Sequence, residues 1–132
     1  KSSNVGSFES VALERLLEES DIISLHIPYD LESHHFINKE TLSKMKHSAI
    51  LINLSRGGLI DEDALFEALK DKSIQGAGLD AFEKEPYQGK LATLENILLT
   101  PHTGSSAIEA RIRMEEETLS NLILGLKATG LI

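Results

Sequence analysis

The sequence has no cysteine and no tryptophan, and only two tyrosines and four phenylalanines. Without cysteine the chain forms no disulfide and no thiolate metal site. With so few aromatic rings, a stacking platform for single-stranded nucleic acid is not expected. Positive charge is also scarce, with 13 Lys and Arg against 21 Asp and Glu and a net charge of −8. That is the reverse of the basic footprint of a nucleic-acid binder, and it favours solubility. No apolar run approaches the roughly 20 residues that cross a bilayer as a helix. The expectation is a cytoplasmic protein with neither a nucleic acid nor a membrane as partner.

What the sequence does have is a regular alternation of apolar runs and amphipathic segments. Its 132 residues, 41% hydrophobic and 26% charged, suffice for one domain with a real core. After the polar connector "KSSNVGSFES", Ser10 is expected to cap a helix over "VALERLLEES", with Val11, Leu13, Leu16 and Leu17 apolar. "DIISLHIP" reads as a buried strand closed by Pro28, and "NKETLSKMK" as a short helix capped by Asn38. "AILIN" is a second strand. "DEDALFEALKDK" is a helix with acids in its first turn and Lys70 and Lys72 in its last, which suits the macrodipole. "IQGAGLDAF" is a third strand, whose glycines suggest close backbone approach. "EKEPYQGKLATLE" is a loop and "NILLTP" a fourth strand. A long helix is expected from Ser105 to about Leu126, with Ile108, Ile112, Leu119, Leu122, Ile123 and Leu126 roughly on one face. Apolar strands alternating with helices predict an α/β fold: a partial, doubly wound, Rossmann-like parallel sheet of four strands, covered on both faces.

Ligands of such sheets bind outside the carboxyl ends of the strands. Here those ends are His26-Ile27-Pro28, Asn53-Leu54-Ser55-Arg56, Asp80 with Glu83 and Glu85 beyond it, and Thr100-Pro101-His102. Each group alone has an ordinary surface role, but four polar or ionisable strand ends on one edge are hard to dismiss together. An arginine fork suits bidentate capture of a carboxylate. A histidine suits proton transfer near neutral pH. A carboxylate beside the histidine would orient it, and an Asp at a neighbouring strand end could accept hydrogen bonds from a ligand amide. These are the parts needed to reduce or oxidise a carbon next to a carboxylate.

In order and spacing, "SDIISLHIP", "MKHSAILINLSRGGLIDEDAL", "GAGLDAFEKEP" and "ILLTPHTGSS" resemble the nucleotide-binding domain of the D-isomer-specific 2-hydroxyacid dehydrogenases, from about Leu13 to Leu126. The resemblance implies hydride transfer between NAD(H) and a small 2-hydroxy or 2-oxo acid, with NADP not excluded. It implies that Arg56 binds the substrate carboxylate and carbonyl. His102 would be the acid/base, and Glu85 would pair with His102 and hold it protonated for reduction. Asp80 would contact the nicotinamide end of the cofactor, with Leu54 and Ser55 lining the nicotinamide ribose. His102, Thr103, Gly104 and Ser105 would close over the carboxamide. Glu85, where formate dehydrogenases of the superfamily carry Gln, argues for hydroxyacid chemistry. A homodimer is implied as well, because the long last helix and the loop after the first strand lie near the dimer interface in the family.

The glycine motif G-x-G-x-x-G of the family has no counterpart here: "GGL" at Gly57 and "GAG" at Gly76 lack its spacing and its strand-to-helix context. The expectation is a single partial NAD-binding domain over residues 1–132, lacking the glycine-motif half and the substrate domain, and inactive by itself. Such a piece would expose apolar surface and self-associate. The other readings are a nucleotide-sensing dimerisation module like the C-terminal-binding-protein corepressors, and a truncated remnant. His34-His35 and His47 have no carboxylate at fixed helical spacing, so they read as surface residues and no metal site is expected.

Overall fold

A computed structural model describes residues 9–104 and 106–131. It holds α1 (Leu13–Glu19), β1 (Ile22–Leu25), α2 (Lys39–Ser43), β2 (Ile50–Asn53), α3 (Glu62–Lys70), β3 (Gly76–Leu79), β4 (Ile97–Leu99) and α4 (Ile108–Ala128). Short 3-10 turns stand at Gly57–Leu59 and Lys90–Thr93. The four strands are all parallel, in the order β1-β2-β3-β4. This is the expected fold class. The order advances in one direction, as it does within one half of a doubly wound sheet.

Local chemistry explains where the helices begin. The Asn38 side chain accepts from the Glu40 and Thr41 N–H groups, while Thr41 Oγ1 accepts from the Asn38 N–H, a reciprocal cap for α2. Asp61 Oδ1 accepts from Asp63 and Ala64 N–H, both at 3.0 Å, and starts α3. Two expected boundaries shift. α1 starts after Ala12 with no side-chain cap, so Ser10 does not cap it. Arg15 instead ties Glu9 (2.9 Å) and Glu19 (3.1 Å) around that first turn. Lys72 lies past the end of α3 in a left-handed conformation (φ 56°), so only Lys70 serves its last turn.

The core lies on one face of the sheet. Ile23, Leu25, Leu51, Ala77 and Leu79 are packed with Leu42 and Met45 from the α2 region and Leu65, Ala68 and Leu69 from α3. Within the first unit, α2 and α3 cover this one face. The register brings Ile22, Ile50 and Gly76 onto the opposite face, and Ser24, Ile52, Gly78 and Leu98 beside them. There Ile22 is 62% and Leu98 68% exposed. The strands alternate inward and outward, so one covered face buries every second residue. Gly76 does stand close to a neighbour, since a Cβ there would lie 3.1 Å from the Asn96 carbonyl oxygen, but Gly78 has open space around it.

The chain forms two compact units, the first ending at Pro101 and the second beginning at His102. In the second, α4 starts at Ile108 rather than Ser105, which is outside the described residues. None of its residues is buried, and Ile108, Ile112, Leu119 and Leu122 are exposed. This much open apolar surface predicts self-association of the 132-residue chain in solution. Sedimentation velocity should show a mass that rises with concentration; a clean monomer at high concentration would contradict it.

Candidate active site

Strand register builds one level edge. Leu25, Asn53, Leu79 and Leu99 are successive partners across the sheet. The residues that follow them, His26, Leu54, Asp80 and Thr100, therefore emerge together at the carboxyl ends.

The turn carrying Arg56 is held by Asn53, a strand-end residue to which the sequence alone assigns no role. Asn53 ends the apolar strand β2 and is fully buried. Its Nδ2 donates to the Arg56 carbonyl (2.9 Å), and its Oδ1 accepts from the Ser55 N–H (3.1 Å) and hydroxyl (3.0 Å). Its carbonyl accepts from the Asp80 N–H (3.0 Å), joining the turn to the next strand end. A buried amide with every polar atom paired holds its backbone neighbours tightly. The signal in the sequence was an Asn closing an otherwise aliphatic run. Arg56 is exposed, and its Nη1 donates to the Ser55 carbonyl at 2.8 Å.

Two glycines let the chain leave Arg56 under a neighbouring loop. A Cβ on Gly57 would lie 1.9 Å from the Phe82 carbonyl carbon and 2.3 Å from the Glu83 nitrogen, both backbone atoms. A Cβ on Gly58 would strike the Tyr29 ring at 2.4 Å. On the other side, the Gly58 carbonyl accepts from the His35 N–H (2.8 Å) and the Leu59 carbonyl from the Ile37 N–H (2.9 Å). Because backbone cannot yield as a side chain does, Gly57→Ala should destabilise the fold by about 3 kcal/mol, the upper end of ordinary overpacking. A denaturation midpoint equal to that of the parent would contradict this close packing.

Asp80 is 3% exposed and accepts from the Thr100 hydroxyl at 2.6 Å, a tie between the ends of β3 and β4. Glu85 Oε1 accepts from the Phe82 N–H at 3.1 Å, so the loop fixes its own carboxylate. Glu85 shares a cavity of about 330 Å³ with Thr100 and Pro101. Leu54 is 59% exposed on the edge, and Ser55 stands beside it, half-buried. His26 hydrogen-bonds the Ser24 hydroxyl at 2.8 Å. A second cavity, about 320 Å³, is lined by Tyr29, His34, Arg56, Gly57, Gly58, Phe82 and Glu83. Behind Glu83, burial pushes the Glu62 carboxyl up, although it accepts the Glu83 N–H at 2.9 Å.

The structure thus brings Leu54, Ser55, Arg56, Asp80 and Glu85 into the first unit, on or just beyond one sheet edge. His102, Thr103 and Gly104 open the second unit. All three are exposed, with His102 in the left-handed region (φ 54°) and the Thr103 carbonyl accepting from the Ser106 N–H at 2.9 Å. Ser105 is outside the described residues. His47 is exposed, as expected. His34 is exposed and His35 half-buried, and the fold sets Glu83 beside them, 48 residues from His35 along the sequence.

Residues 1–104 match the D-isomer specific 2-hydroxyacid dehydrogenase family, in its NAD binding domain. The chain belongs to this family. Among its relatives, a glyoxylate reductase of Korarchaeum cryptofilum is 51% identical over 117 residues, covering 87% of this chain and 35% of the relative. A glyoxylate/hydroxypyruvate reductase B of Enterobacter agglomerans is 48% identical over 116 residues, 86% of this chain and 36% of the relative. An acyclic imino acid reductase, solved in complex with NADPH and D-Arg, superimposes with a TM-score of 0.85 at 38% identity, covering 96% of this chain and 41% of that one. This dehydrogenase-family chain therefore spans about a third of the length of the curated relatives it matches. Among its described residues, no helix is long and apolar enough to cross a membrane.

Proposed function

We propose that this chain supplies the substrate-facing half of a hydride-transfer site, as part of an enzyme that interconverts 2-oxo and 2-hydroxy acids with NAD(H). The observation that carries this reading is the level edge at which Leu54 and Asp80 emerge together, with Arg56 in the turn just beyond Leu54. Its apolar Leu54 and its buried, acceptor-bearing Asp80 suit a flat ring that carries an amide. They would fit a nicotinamide, with Leu54 and Ser55 toward its ribose and Asp80 toward its amide end. The cofactor supplies or accepts the hydride.

Everything else falls to the chain's own side chains. Arg56 binds the carboxylate and the reacting carbonyl oxygen, its fork holding the acid while its charge stabilises negative charge developing on that oxygen. His102 gives a proton to the same oxygen during reduction and takes it back during oxidation. Glu85 pairs with His102, and its anchor on the Phe82 N–H keeps it in place for that task. The enzyme works as a homodimer in the cytoplasm. The reading is tested in a full-length dehydrogenase carrying these 132 residues, by following NADH oxidation with glyoxylate or hydroxypyruvate. Normal turnover in Arg56→Ala or in His102→Ala would sink the assignment.

A further inference from the structure

Three metal-ligating groups converge beside Arg56, although the sequence separates them widely. His34, His35 and Glu83 each offer one ligand atom within 4.8 Å of the other two. His35 Nε2 hydrogen-bonds Glu83 Oε1. The His34 and His35 rings stack, with centroids 3.8 Å and planes 25° apart. The Tyr29 hydroxyl bonds His34 Nδ1 at 3.2 Å, which leaves Nε2 as that ring's second donor atom.

Rigid backbone on both sides holds the cluster. The His35 N–H is tied to the Gly58 carbonyl and the Glu83 N–H to Glu62. We propose that His34, His35 and Glu83 form a binding site for a divalent transition-metal ion of the zinc class. Two imidazoles and one carboxylate suit zinc, cobalt or nickel, whereas magnesium and calcium require all-oxygen cages. As metal ligands, two imidazoles and one carboxylate would together carry one negative charge. Tyr29 acts as the outer partner that fixes the orientation of a ligating ring. Arg56, which lines the same cavity as His34 and Glu83, has Nη1 engaged by its own Ser55 carbonyl. Three protein ligands leave one tetrahedral position for water or a small anion.

The site is independent of the role given to Arg56 above. A simple His35–Glu83 hydrogen bond would have no need of His34, and that difference makes the test. The metal-free 132-residue chain is titrated with Zn²⁺ by calorimetry, and with Co²⁺ by visible absorption. The expected result is one Zn²⁺ per chain, undisplaced by a large excess of Mg²⁺, with a Co²⁺ spectrum of tetrahedral type. His34→Ala, at an exposed position, and Glu83→Gln should each weaken binding by at least about tenfold while circular dichroism stays unchanged. His47→Ala should bind as the parent does. Failure of the parent chain to bind Zn²⁺, or equal affinity in His34→Ala, would overturn the site.

Discussion

Replacing Arg56 with alanine should lower kcat/KM for a 2-oxo acid by roughly a thousandfold in a full-length dehydrogenase carrying this chain. Two charge-assisted hydrogen bonds from a guanidinium fork, at about 2 kcal/mol each, total about 4 kcal/mol. Each factor of ten in rate corresponds to about 1.4 kcal/mol, so the loss is about three decades. Lysine should recover only part of it, because a point charge cannot reproduce the planar fork. The fold should tolerate the change. Asn53 grips the turn through the Arg56 carbonyl, which alanine retains, and the arginine side chain itself is exposed. An unchanged denaturation midpoint beside collapsed turnover would separate the chemical role from a structural one. Stability and turnover lost together would point to the turn instead.

His102→Ala should lower kcat by about a thousandfold, in the range lost when a positioned acid/base is removed. The companion variant Glu85→Gln should be milder. A glutamine oxygen can still accept from the Phe82 N–H, so the loop keeps its anchor and only the negative charge is lost. That variant should alter the pH profile of kcat, a readout that loop packing alone would not move. A His102→Ala enzyme with parental kcat would remove this residue from the proton-transfer step. A parental pH profile in Glu85→Gln would do the same for the pair.

The readings from sequence succeeded where one residue decides its own surroundings. Asp61 and Asn38 cap their helices because an Asx side chain reaches N–H groups two and three residues ahead. The apolar runs 22–25 and 50–53 are strands, and their carboxyl ends lie level at one edge of the sheet. Failures came where the deciding partner is distant. Ser10 gave way to Ala12 at the start of α1, and Arg15 now bridges Glu9 and Glu19 around that turn. Asn53 went without a role because its partners are backbone groups of a turn not yet formed. Glu83 reached His34 and His35 only through the packing of its loop on Gly57, a contact that spacing along the chain cannot reveal.

In the proposed enzyme, the carboxyl edge of this sheet presents an arginine to a carboxylate beside a site of hydride transfer. The most direct measurement compares NADH oxidation by the full-length enzyme on paired carbonyl compounds, 2-oxo acids and the matching ketones without the carboxylate. Turnover is expected with the acids and almost none with the ketones, a preference that collapses in Arg56→Ala. Equal turnover of both members of each pair would contradict it.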